Sequence, residues 1–248
     1  MRTSNPALRT DTLDRLRWQE RSSSSAMTIQ GTVNKTVIML LLTILSSIWV
    51  WRLYYSEAQT QVGPYMIAGA LGGFIVALIT IFKQNWAPYT SPVYAVLEGL
   101  FLGGISASFE SRYPGIAFQA VSLTFGTLFC LLIAYKSRLI TVSHKFRAGI
   151  VAATGAICLV YLASLVLSMF NVQIPGIFSN GAIGIGFSVV VVIIAALNLV
   201  LDFDFIEKAA RSSAPKFMEW YGAFALMVTI IWLYIEILRL LSKISRRE

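Results

Sequence analysis

The chain has 248 residues, 56% of them hydrophobic and only 13% charged, against about 45–50% apolar and about 25% charged in an average soluble domain. That balance excludes an ordinary water-soluble globule. Twenty Lys and Arg against twelve Asp and Glu leave a net charge of +8, but the cations fall between apolar runs, with no basic stripe and no interleaved aromatics, which argues against a nucleic-acid interface. Cys130 and Cys158 lie inside apolar runs and His144 is the single histidine. Neither a disulfide framework, a thiolate cluster nor a site of several imidazoles fits.

In chain order, residues 1–33 form a polar tail in which Arg2, Arg9, Arg15, Arg17 and Arg21 mix with Asp11, Asp14 and Glu20. It lacks the apolar core of a secretory signal. Leu13, Leu16 and Trp18 suffice for a short interfacial helix, but the composition favours a disordered cytoplasmic tail, with SSSSAM at 22–27 as a flexible joint. Seven apolar runs follow, at 35–55, 63–83, 92–109, 115–135, 149–170, 181–203 and 220–242. Each has about the length that crosses a hydrocarbon core as a helix. The expected fold is an all-α integral membrane protein, a seven-helix transmembrane bundle over 34–243 with a basic tail at 244–248 and the lipid bilayer as its first partner.

Short-loop cations set the orientation. The second, fourth and sixth connections hold Lys83, then Lys136, Arg138, Lys145 and Arg147, then Lys208, Arg211 and Lys216, whereas the odd connections hold Arg52 and Arg112. This predicts a cytoplasmic N-terminus. Seven spans then place the cationic end KISRRE outside, a conflict that a re-entrant final segment would remove. Trp49, Trp51, Tyr54 and Tyr55 on the first run and Trp220 and Tyr221 on the seventh suit interfacial belts.

Charge at membrane depth is costly, so each charged side chain inside a run is a functional candidate. Those residues are Glu98, Asp202, Asp204, Glu236 and Arg239. At about 100° per residue, Asp202 and Asp204 point to different sides of their helix. Asn198 lies one turn before Asp202 and extends it into a polar stripe. Asp204 has Lys208 at i, i+4, the pattern of an interfacial ion-paired face. Asp202 is therefore assigned inward, with the alternative that both acids mark the cytoplasmic helix end. Glu236 and Arg239 are three apart and either pair with each other, or Arg239 snorkels to the interface and frees Glu236 to meet a carboxylate from another helix. Two carboxyls sharing a dry site make a proton-sensitive latch. Glu98 needs a partner or a proton, with helix packing as the plain alternative.

Small residues point to close helix contacts. Gly69 and Gly73 form GxxxG in the second run, and Ala95, Gly99, Gly103 and Ala107 recur at four-residue spacing in the third. These two helices are expected to lie together.

The segments PVYAVLEGLFLGGISAS (92–108), ALNLVLDFDFIEKA (196–209) and WLYIEILRLL (232–241) resemble those of the Bax inhibitor family, the transmembrane Bax-inhibitor-motif proteins. The resemblance covers about 33–243. MRTSNPAL and the joint before MTIQGTVNKT are similar to a bacterial branch, which implies a bacterial inner membrane. The resemblance implies six helices around a central last helix, and a pH-sensitive calcium leak governed by one acid from each of the last two spans. Asp202 matches the first acid of the family pattern and Glu236 the second, where relatives usually carry Asp. An arginine on the second helix engages the pair in some relatives; none occurs in 63–82, and Lys83 is a poor substitute.

The leading expectation is a passive, proton-regulated cation leak in which calcium is the permeant ion. Asp202 and Glu236 would offer it weak, transient contact at most, because a calcium cage needs about six to eight oxygens. No cofactor and no enzymatic activity are expected. A second expectation is a regulatory protein that binds other membrane proteins, such as a quality-control protease, through its tail. A proton-coupled transporter has slight support from Gly99, Gly103 and Gly104. Ser106 lies in GGISAS without the second glycine of a GxSxG elbow, and His144 is in a basic loop, so an intramembrane protease is not indicated.

Overall fold

A computed structural model describes residues 26–56, 59–170, 179 and 181–246. The expectations for the tail over 1–25 lie outside the described residues. Seven long helices account for the seven runs: α1 Ile29–Tyr54, α2 Val62–Phe82, α3 Ala87–Glu110, α4 Ile116–Lys136, α5 His144–Met169, α6 Ala182–Arg211 and α7 Met218–Ser245. All seven are long and apolar enough to cross a membrane.

Local chemistry sets the helix ends. Thr28 caps α1 by accepting a hydrogen bond from the Gly31 amide at 2.9 Å, so the helix begins at Ile29, ahead of the boundary expected at 34. Ser143 caps α5 in the same way through the Phe146 amide, and His144 is the first helical residue. Between α3 and α4, Gly115 has φ +87°, a conformation open to glycine at little cost. The Glu110 carboxylate there accepts from the amides of Gly115 at 2.5 Å and Ala117 at 3.0 Å, placing a negative charge at the N-terminus of α4 where the helix dipole favours it. α6 continues past 203 to Arg211 because its last turns are joined by i, i+4 pairs, Asp204 with Lys208 at 2.7 Å and Glu207 with Arg211 at 2.5 Å.

The last helix is central, as the resemblance implied. α7 packs directly on α1, α3, α4 and α6 and contributes the fully buried Leu233 and Leu238 to the core. α2 rests on α3, and α5 rests on α6. Because α7 is one unbroken helix of 28 residues, a re-entrant final segment does not describe it. Thr28 bonds to Glu219, so α1 and α7 start at the same end of the bundle and α7 finishes at the other.

Two different neighbours use the small residues. On α2, a Cβ at Gly69 would stand 2.5 Å from the Leu97 carbonyl oxygen of α3, so α2 and α3 do lie together. The stripe on α3 is a correction. Gly99 and Gly103 face α1, not α2: a Cβ at Gly99 would meet the Thr43 carbonyl oxygen at 2.4 Å, and one at Gly103 the Ser47 carbonyl oxygen at 2.4 Å. Close approach lets α1 hydroxyls reach α3 carbonyls, Thr43 to Ala95 at 3.0 Å and Ser47 to Gly99 at 2.9 Å. Such bonds couple backbones where no water competes.

Candidate functional site

Asp202 lies on α6 in the half of the bundle that contains the basic loops. Its carboxyl stands beside the Thr229 hydroxyl of α7, and its Oδ2 is buried with no hydrogen-bond partner. Thr229 donates its own proton to the Ala225 carbonyl at 3.3 Å. A buried polar atom left without a partner is rare because it forfeits its solvation without compensation. Asp202 as a whole is partly exposed, and Asp204 on the same helix is buried, so both acids reach into the bundle and burial does not single out Asp202.

Glu236 is 1% exposed and its carboxylate is already engaged. Arg239, one turn on along α7, approaches both oxygens at 3.2 and 3.3 Å. Tyr161 of α5 donates to Oε1 at 2.9 Å, and Arg239 also donates to the Tyr161 hydroxyl at 2.8 Å. The close approach of Asp202 and Glu236 expected from the sequence is therefore not present. Thr229, which marks the level of Asp202, is about two helical turns from Glu236 along α7, and Arg239 supplies the charge that a second acid was expected to contest. Nearby, Lys243 donates to the Gly184 carbonyl at 2.9 Å and to Ser188 at 2.8 Å. This fastens the end of α7 to the start of α6.

At the opposite end, three acids hold cations from separate parts of the chain. Asp204 pairs with Lys208, as expected, and also with Arg147 from the first turn of α5. Glu207 takes Arg138 at 3.0 Å, Arg211 at 2.5 Å and the Tyr135 hydroxyl. Glu219, absent from the sequence candidates, is fully buried. It binds Lys35 of α1, Lys216 at 2.9 Å, and the amide and hydroxyl of Thr28, each at 2.9 Å. The Met27 amide bonds the Ala214 carbonyl at 2.7 Å, so the entry to α1 is tied to the α6–α7 turn. The Lys216 to Glu219 spacing was visible in sequence, but a position at the start of an apolar run reads as solvated.

The remaining candidates separate. Asn198 donates to Thr154 of α5 at 2.8 Å and to the Ile194 carbonyl at 2.8 Å, joining α5 to α6. Glu98 stands beside the Tyr94 hydroxyl, facing Gly73 of α2. Lys83 sits over the Trp86 ring at 4.6 Å and is in none of the ion pairs among the described residues. Ser106 shares a 2.7 Å hydrogen bond with the Tyr234 hydroxyl, and His144 is exposed. Among the described residues no group of three or more His, Cys, Asp or Glu is placed to hold a metal ion.

No curated protein and no solved structure matches the chain. A family model described as Bax inhibitor 1 like matches residues 5–246, nearly the whole length, and the seven apolar helices with a central last helix agree with it. The chain belongs to the Bax inhibitor 1 like family of membrane proteins.

Proposed function

We propose that the protein is a passive cation leak with calcium as the favoured ion, oriented with its N-terminus in the cytoplasm of a bacterial inner membrane. Asp202 is the acid that makes its flux depend on pH. The observation that carries this reading is the buried, unpartnered Oδ2 of Asp202. An ionised carboxylate in such a place needs water, a cation or a proton. When protonated, Asp202 leaves this part of the bundle neutral and dry. When ionised, it draws water and cations toward Thr229, so flux falls on acidification. Glu236 has no part in this step because Arg239 and Tyr161 occupy it. It serves as a clamp between α5 and α7.

Purified protein in liposomes, assayed for calcium entry across a pH series, tests this. Asp202→Asn is expected to flatten the pH response. Asp204→Asn and Glu236→Gln are expected to keep it, since each acid has cations of its own. A parent-like pH response in Asp202→Asn overturns the assignment.

A second reading, a regulator of other membrane proteins such as a quality-control protease, is favoured by one observation. The Met27 to Ala214 and Thr28 to Glu219 bonds fix where the tail leaves the bundle, which would present it to a partner from a defined point. Deleting residues 2–25 keeps those anchors, so the truncated protein should retain ion flux in liposomes while losing any effect on a partner. Loss of flux with the tail would instead join the two roles.

A further inference from the structure

α2, α3 and α7 border an open cavity of about 360 Å³. Its walls carry five aromatic rings, Phe74, Tyr94, Phe101, Phe224 and Trp232, and one charged group, Glu98. Phe74 is 62% exposed on an apolar helix long enough to cross the membrane, so the cavity opens sideways toward lipid. Tyr94 and Phe224 meet edge to face at 4.9 Å, which fixes two of the rings. Gly73 leaves room for the acid: a Cβ there would stand 2.9 Å from Glu98 Oε1. Glu98 makes no ion pair with a lysine or arginine among the described residues. It thus differs from Asp204, Glu207, Glu219 and Glu236, each of which holds at least one cation.

We propose that this cavity binds a lipophilic monovalent organic cation that enters sideways from the bilayer. Glu98 is the counter-charge and the aromatic walls are the surface on which the cation rests. Charge complementarity selects the occupant. Aromatic faces attract cations through their quadrupoles, most of all where water is excluded, and a carboxylate in the same wall adds a direct Coulomb attraction. A metal ion is a poor fit, because one carboxylate and five rings do not replace the oxygen shell of a hard cation. A lipid acyl chain would cover the rings and leave the acid uncompensated. The site is separate from the proposed leak: Asp202 does not line the cavity.

Tetraphenylphosphonium is the probe, a permanently charged aromatic cation. Tetraphenylborate, of similar shape and opposite charge, is the control, dialysed in separate samples because the two ions form an insoluble salt when mixed. In equilibrium dialysis with the full-length protein in lipid nanodiscs, the phosphonium is expected to bind saturably at one per chain, and the borate alone to show no saturable binding. Glu98→Gln, which keeps an oxygen beside Tyr94, is expected to weaken binding by about tenfold or more. Val228→Trp, which fills the cavity from α7, is expected to abolish it, with folding of both variants checked by thermal melting. No saturable binding of the phosphonium by the parent overturns the proposal, as does saturable binding of tetraphenylborate with equal affinity. Unchanged affinity in a folded Glu98→Gln shows a neutral occupant such as an acyl chain and also overturns it. Cross-linked dimers that disappear in Val228→Trp, without phosphonium binding by the parent, would assign the cavity to a second copy of the chain.

Discussion

Gly103→Leu is expected to reduce the yield of folded protein recovered in detergent and to lower its melting temperature. Gly103 stands where α3 touches the backbone of α1. A Cβ added there would lie 2.4 Å from the Ser47 carbonyl oxygen and 2.9 Å from the Ser47 Cα. No rotamer change relieves a clash with backbone, so α1 must move away. That movement breaks the Thr43 to Ala95 and Ser47 to Gly99 bonds and loosens the contact of α1 with α7. Overpacking a close interface typically costs about 1–3 kcal/mol, and more when helices separate, out of a total stability of about 5–15 kcal/mol. Size-exclusion yield and melting temperature measure the effect. Gly126→Leu is the control, since nothing lies within 4 Å of a Cβ at that position, and it should behave like the parent. If Gly103→Leu also melts like the parent, the α1–α3 interface is wrongly described.

Glu219→Ala should be the most damaging loss of a single charge. The carboxylate is fully buried and satisfies Lys35, Lys216 and both polar groups of Thr28. Removing one member of a buried ion pair costs about 3–5 kcal/mol, chiefly because the partners are left behind without a counter-charge. Lys35 is 18% exposed at its side chain and Lys216 50%, so water recovers part of the loss and the lower end of that range, about 3 kcal/mol, is expected. Loosening should be local as well as global: hydrogen exchange of the amides at 29–36 should speed up. Lys216→Met, which removes a half-exposed partner, should cost no more than about 1 kcal/mol. Equal melting of Glu219→Ala and the parent would show that the entry of α1 does not depend on this cluster.

Most of the fold was legible in the residues because hydropathy over a span of helical length is a local property. All seven runs became helices, with ends that moved where a cap or an ion pair extended them. Thr28 started α1 early, and the pairs of Asp204 and Glu207 lengthened α6. Periodicity also matched Asp204 with Lys208, since that pairing depends on geometry within one helix. The GxxxG of α2 foretold a close contact with α3.

What the sequence by itself determined is thus what one helix decides: which stretches span, where polar residues fall around each one, and which neighbours at three or four residues' spacing can pair. The tertiary structure decided every partnership between helices. It gave Arg147 to Asp204, Tyr161 to Glu236 and Lys35 to Glu219. It kept Glu236 with Arg239 when the sequence left that pairing open, and it turned Gly99 and Gly103 toward α1 when the spacing suggested α2. A small-residue stripe tells how near a neighbour can come but not which neighbour comes. A buried acid likewise tells that a partner is needed but not from where, because the crossing of two helices is set by the packing of all seven.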